Sequence, residues 1–253
     1  MIDYHCHILP GLDDGCRTVE ESVMMARQLK AVGFSRVCCT PHCITGLYDF
    51  SAEQIMVAVA ALQQRLDREG ITLRLETGME YYLDDFLLDR LDRHRPMTLG
   101  KTDLLLFELP SSGDVCLLPE TVRWMKKRGL QPVLAHPERF FAGKKKQTMV
   151  DFVQHWLTRH PADFLPAALL EVVEQGCLLQ ADLGSFNGVY GANVRRLAML
   201  LQQQGMYACV GSDGHSPRQA ETILRDNFWL AEQMPQRDQE ISCEAGVGLK
   251  GIV

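Results

Sequence analysis

The chain has 253 residues, 46% of them hydrophobic and 23% charged, with a net charge of -6 and a pI of about 5.8. That length suits one α/β domain spanning residues 1–253 as easily as two small ones, and the acidic balance argues against a nucleic-acid or anionic-membrane surface. The nine cysteines are odd in number and form no CxxC pair, which points to reduced thiols in a cytoplasmic protein; no signal peptide and no membrane-spanning apolar run is legible.

The elements alternate along the chain. The first strand is Ile2–His5, and a helix follows from Thr18, where Glu21 completes a capping-box spacing and Gly33 ends the run. Strand two, Arg36–Thr40, leads into Pro41-His42, and a second capping box, Ser51 with Gln54, opens a helix that runs to about Gly70. Strand three is Thr72–Thr77, before Gly78-Met79-Glu80, with a helix near Leu83–Arg93. Strand four, Leu104–Leu106, extends to Glu108; Pro119 then starts a helix that Gly129 closes. Strand five, Pro132–Ala135, precedes His136-Pro137. The least regular stretch, Gly143–Gly176, holds helices at Thr148–Thr158 and from Pro166 through Gln175. Strand six is Cys177–Ala181 and strand seven Tyr207–Val210, with helices at Ala192–Gln204 and Pro217–Gln233. Residues Met234–Val253 are weakly patterned.

Strands alternating with helices predict a parallel sheet, and about seven units with neither GxGxxG nor GxxxxGK[ST] favour a barrel-like closure. In such a barrel, functional residues gather at the carboxyl ends of the strands. Six of the seven predicted strand ends carry an imidazole or a carboxylate: His5 and His7, His42, Glu80, Glu108, His136, and Asp213 with His215. Asp13 and Asp14 come from the first loop. His5 and His7, like Asp213 and His215, are two apart, which places both members of each pair on one face of an extended chain. Any one of these residues read alone is a structural hydrogen-bonding group; the set together reads as a site for two or three ions. Nitrogen and oxygen donors suit manganese, iron or zinc rather than a thiolate-held structural zinc. His94, His155 and His160 fall away from the strand ends and read as surface residues, and Cys6 as a packing residue.

HCHILPGLDDG at His5–Gly15, TPH at Thr40–His42, GMEYY at Gly78–Tyr82, FELP at Phe107–Pro110, AHPERF at Ala135–Phe140 and GSDGH at Gly211–His215 resemble the PHP (polymerase and histidinol phosphatase) superfamily. Within it they are most similar to the bacterial capsular-polysaccharide-type tyrosine-protein phosphatases. The resemblance implies a distorted (β/α)7 barrel of the PHP type with its metal site at the C-terminal ends of the strands. It implies three divalent ions, Mn2+ in preference to Fe or Zn. His5, His7, Glu80 and Asp213 would hold one ion, Glu80, Glu108 and His136 the second, and Asp14, His42 and His215 the third. The choice of Asp14 over Asp13 comes from the resemblance alone. Arg139 would contact substrate phosphate; Arg218 either does likewise or is a surface arginine of a helix first turn. The stretch Gly143–Gly176 is longer than usual for the family, and Cys243–Val253 lacks its usual terminal helix.

The implied activity is hydrolysis of protein phosphotyrosine by a metal-activated hydroxide. The implied partner is the tyrosine-rich tail of a membrane-associated kinase that controls capsular or exopolysaccharide synthesis; a homo-oligomer is compatible with it. No cysteine is followed by arginine six positions on, so the phosphate loop of a cysteine-based phosphatase is absent. The alternatives are another PHP phosphoesterase acting on a small phosphate monoester such as histidinol phosphate, or a non-catalytic metal-dependent phosphotyrosine-binding regulator. An amidohydrolase shares the HxH strand, but Glu108 stands where a bridging carbamylated lysine would be expected.

Overall fold

A computed structural model describes residues 1–111, 114–142, 165–225 and Asn227. Its strands are β1 (Ile2–Cys6), β2 (Arg36–Cys39), β3 (His42–Cys43), β4 (Arg74–Thr77), β5 (Glu80–Tyr82), β6 (Leu104–Glu108), β7 (Gln131–Ala135), β8 (Leu178–Asp182) and β9 (Tyr207–Gly211). Its helices, among the described residues, are α1 (Val19–Ala31), α2 (Ala52–Arg68), α3 (Leu87–Arg93), α4 (Leu118–Lys127), α5 (Pro137–Phe141), α6 (Ala167–Glu174), α7 (Leu183–Phe186), α8 (Ala192–Gln203) and α9 (Pro217–Leu224).

Every strand pairing is parallel, in the orders β1-β2-β4 and β3-β5-β6-β7-β8-β9. The two sheets are one ring. β2 continues into β3 across Thr40-Pro41, and β4 into β5 across Gly78-Met79, so nine short strands fill seven positions. The ring closes between the first and last strands: Cys6 bridges Gly214, Asp213 N donates to His5 O at 2.8 Å, and His7 N to Gly214 O at 3.0 Å. The expected α/β barrel is therefore present, and its distortion lies at the two strand breaks.

Side chains alternate across each strand. Leu105, Phe107 and Leu134 join the larger buried cluster, which includes helix residues Ile55, Leu62, Val122 and Met125 and so lies between barrel and helices. Leu104, Leu106, Val133 and Ala135 join a smaller cluster with Cys38, Leu178 and Cys209, which fills the barrel interior.

The helix starts follow their caps. Ser51 Oγ accepts from Gln54 N at 3.2 Å and Gln54 Oε1 from Ser51 N at 2.8 Å, a complete capping box. The box expected at Thr18 is only half formed: Thr18 Oγ1 accepts from Glu21 N, but Glu21 Oε2 takes Arg17 N at 2.7 Å instead of the cap's own N–H. The predicted third strand starts two residues late, at Arg74, and the helix near Leu83 starts at Leu87. The expected helix at 148–158, His155, His160, the end of the last helix and the chain end lie outside the described residues.

Candidate metal centre

Each functional side chain sits where a strand meets its following loop. His5 is in β1 and His7 one residue past it; His42 is in β3, Glu80 in β5, Glu108 at the end of β6 and His136 just past β7. Asp213 and His215 follow β9. Two of these residues, His136 and Asp213, are the only described non-glycine residues with positive φ, at 32° and 48°. Left-handed backbone is costly for a side-chain-bearing residue and collects at functional sites. It is held here by main-chain bonds, His136 N to Gln180 O at 2.9 Å and Asp213 N to His5 O at 2.8 Å.

All nine residues expected as ligands come together. Their donor atoms fall into three overlapping sets, each within 4.8 Å: His5, Glu80, His136 and Asp213; His7, Asp14, His42 and His215; and His42, Glu80 and Glu108. Glu80 is the hub. Its Oε2 lies 3.1 Å from His5 Nε2, 3.3 Å from His7 Nε2 and 2.9 Å from His42 Nδ1, while Oε1 lies 3.1 Å from His136 Nε2. These sets overlap the partition implied by resemblance: Asp14, His42 and His215 stand together, and His5 and His7 Nε2 both lie within 3.3 Å of Glu80 Oε2 and Asp213 Oδ1, while His136 also stands with His5 and Asp213, and His42 with Glu80 and Glu108. Burial is graded, from the enclosed His5, Glu80 and Asp213 to Asp14, whose side chain is 57% exposed beside His42 and His215.

Charge is concentrated where water is scarce. Burial opposes a proton on His5 and His42, yet neighbouring carboxylates outweigh it and raise their pKa values to about 9 and about 10. Burial likewise pushes the carboxyls of Glu80 and Asp213 up, and the imidazoles around them, with Arg139 beside Asp213, hold both well below the usual carboxylate range. Even so, Glu80 Oε2, Asp213 Oδ1 and His42 Nδ1 are buried and make no hydrogen bond. Buried polar atoms are normally paired. Three orphaned donor atoms converging among imidazoles and carboxylates fit divalent cations held by nitrogen and oxygen.

Three residues with no role assigned from sequence complete the site. Asp13 Oδ2 accepts from His7 Nδ1 at 2.7 Å and from His42 N at 2.9 Å, while Oδ1 takes Gly15 N at 2.9 Å. Gln180 Oε1 lies 3.0 Å from His5 Nδ1. Both contacts tie down Nδ1 and leave Nε2 for a ligand bond, the usual outer-shell arrangement. His215 does the same through Asp213 O at 2.9 Å. The third, Asp182, is a carboxylate at the end of β8, one residue past the predicted strand six; counting one position further would have found it. Arg139 leaves the start of α5 to reach Asp182 Oδ2 at 3.3 Å and Asp213 Oδ2. Arg218 is exposed in the first turn of α9. His94 is exposed and Cys6 fully buried, as expected.

A family model for capsular polysaccharide synthesis, CpsB/CapC, matches residues 1–156. The chain belongs to the CpsB/CapC family. The segment matched by the CpsB/CapC model carries His5, His7, Asp14, His42, Glu80, Glu108, His136 and Arg139; Asp213, His215 and Asp182 are brought to them by the barrel. The chain is 26% identical over 233 residues to the tyrosine-protein phosphatase YwqE of Bacillus subtilis, covering 92% of this chain and 84% of YwqE. It is 25% identical over 150 residues to the tyrosine-protein phosphatase CpsB of Streptococcus agalactiae, covering 59% of this chain and 62% of that protein. Among solved structures, it matches a chain from the crystal structures of YwqE from Bacillus subtilis and CpsB from Streptococcus pneumoniae, described as unique metal-dependent tyrosine phosphatases. That match has a TM-score of 0.71 and 27% identity, covering 90% of this chain and 87% of the other.

Proposed function

We propose that this CpsB/CapC chain, as one domain, is a metal-dependent phosphatase that hydrolyses phosphotyrosine on a protein, in the setting of capsular or exopolysaccharide synthesis. The observation that carries the reading is the convergence of nine nitrogen and oxygen donors on Glu80, with buried atoms left unpaired. The kinship with named tyrosine-protein phosphatases supports it. Three ions, with Mn2+ favoured, match the three donor sets. When bound, such ions polarise phosphoryl oxygens and lower the pKa of a coordinated water.

The chain's own residues do the rest. Asp13, Gln180 and the Asp213 carbonyl orient His7, His5 and His215, so that Nε2 of each imidazole is presented inward. The buried set excludes water from the floor of the site, and Asp14, His42 and His215 form its open side. Arg139, partly exposed, supplies a planar cation for phosphoryl oxygens; Arg218 stays exposed at the start of α9 as a second candidate. The substrate we favour is the tail of a membrane-associated tyrosine kinase, which fits a cytoplasmic enzyme. No helix among the described residues is long and apolar enough to cross a membrane.

Metal analysis of the purified protein, combined with turnover of phosphotyrosyl peptide by wild type and His136→Ala, tests this. Bound Mn2+ and turnover that chelation abolishes and Mn2+ restores are expected, with both reduced in the variant. Full turnover in excess chelator with no retained metal would refute it, and a strong preference for a small phosphate monoester would redirect it.

A further inference from the structure

Arg139 is held by more than one group. Its Nη1 bonds Asp213, a member of the metal cluster, and lies 3.3 Å from Asp182 Oδ2. The guanidinium carbon stands 4.4 Å from the centre of the Tyr190 ring, a cation–π placement. Asp182 is itself fixed. It is fully buried at the end of β8, its Oδ1 takes Gly184 N at 2.6 Å, and its own N–H goes to Glu138 Oε1 at 2.9 Å. Glu138, also fully buried, is braced in turn by the Tyr207 hydroxyl at 2.9 Å. Glu138 and Arg139 are neighbours in the HPER segment, so one points into the fold while the other points to the metal cluster. Among the described residues both carboxylate contacts of Arg139 use Nη1, and its side chain keeps 32% of its surface open. Among those residues the Nε and Nη2 donors are therefore left for an oxyanion.

We propose that Asp182 is the positioning residue that sets Arg139 for the substrate phosphate, with Tyr190 as the ring against which the guanidinium rests. Of the two carboxylates on Arg139, Asp213 also belongs to the metal cluster; Asp182 stands outside the donor sets and divides its oxygens, Oδ1 to the Gly184 amide and Oδ2 to the arginine. A guanidinium on a flexible stem would otherwise spend rotamer freedom on each encounter, and pre-setting it reduces that loss. The proposal rests on the phosphate-binding role given to Arg139 above.

The test is a double-mutant cycle on the Mn2+-loaded full chain, with Arg139→Ala, Asp182→Asn and the pair together. Turnover of phosphotyrosyl peptide, inhibition by inorganic phosphate and bound metal per chain are measured for each. Asp182→Asn in the wild-type background should lower kcat/KM by up to about 100-fold, as misplacement of a catalytic group by about 1 Å does, and weaken phosphate inhibition, with metal content unchanged. In the Arg139→Ala background the same substitution should have almost no further effect. Equal losses in both backgrounds would overturn the role of Asp182. No loss from Arg139→Ala itself would instead overturn the phosphate role of Arg139, and the inference with it. Because Asp182 also caps α7, Tyr190→Leu provides a second variant that leaves that cap in place; its loss should likewise vanish when Arg139 is alanine, and a loss that persists there counts against the proposal.

Discussion

Asp13 accepts a hydrogen bond from His7 Nδ1 at 2.7 Å, and this contact decides which nitrogen of His7 faces the cluster. Burial favours a neutral Asp13, but the His7 bond and charge, together with the His42 and Gly15 amides, outweigh it and lower the pKa to about 2. Asp13 is thus an ionised acceptor, His7 Nδ1 must be the donor, and Nε2 is left toward Glu80 and Asp213. Outer-shell partners of this kind are worth about 10–100-fold in metal affinity or activity. Asp13→Ala should weaken Mn2+ binding by that factor, read by metal titration of the chelator-stripped protein; unchanged affinity would mean that His7 is oriented by other contacts.

Glu80 touches members of all three donor sets. Glu80→Gln removes the charge while keeping the shape, so its loss should exceed the roughly 100-fold upper figure for an outer-shell partner. Bound metal per chain, measured with turnover, should fall for more than one ion. Loss confined to a single ion would show that Glu80 is not shared.

The metal-free site should compete for protons. His5 and His42, with pKa values raised from 6.5 to about 9 and about 10, are protonated near neutral pH and must become neutral to bind an ion. Mn2+ affinity should therefore rise with pH across this interval, by about tenfold per unit for each proton displaced. The stability that the raised values give the metal-free fold is complete below pH 6.5 and fades as pH climbs through 9 and 10. Calorimetric titration in buffers of different ionisation enthalpy, with melting of the stripped protein from pH 6 upward, reads both effects. A pH-independent affinity without proton release would contradict them.

Gly211 ends β9 directly against His5. A Cβ there would stand 2.8 Å from Gln180 Nε2 and 3.0 Å from His5 N, and closer still to His5 Cβ. Gly211→Ala should cost about 1–3 kcal/mol of stability as overpacking, and displacing His5 should reduce metal occupancy. Denaturant unfolding of the stripped protein separates the two. An unchanged midpoint would show that β9 has room to shift.

The ligand set was legible because it obeys local rules. His5 and His7 are two apart on an extended chain, and Glu80, Glu108, His136 and Asp213 each stand at the end of a short apolar run. The supporting residues were not. Asp182 lies one position beyond the predicted end of its strand, and Gln180 is a single polar residue inside a buried strand; its contact with His5 spans 175 positions. Asp13 and Asp14 are adjacent and chemically alike, so no spacing separates them. In the fold, Asp13 turns inward to His7 and Asp14 stays largely in solvent.

Periodicity, caps and residue type thus determined the alternating strands and helices, the parallel barrel and eight strand-end donors on one edge, since each depends on neighbours a few positions away. Tertiary structure alone decided how those donors group, which nitrogen each imidazole presents, and what holds Arg139. Those features come from closing the ring between Cys6 and Gly214, which sets β1 beside β9 and brings Gln180 and Asp182 of β8 to the same rim. The left-handed turns at His136 and Asp213 belong to the same level, because long-range bonds to Gln180 O and His5 O hold a backbone that local preference disfavours.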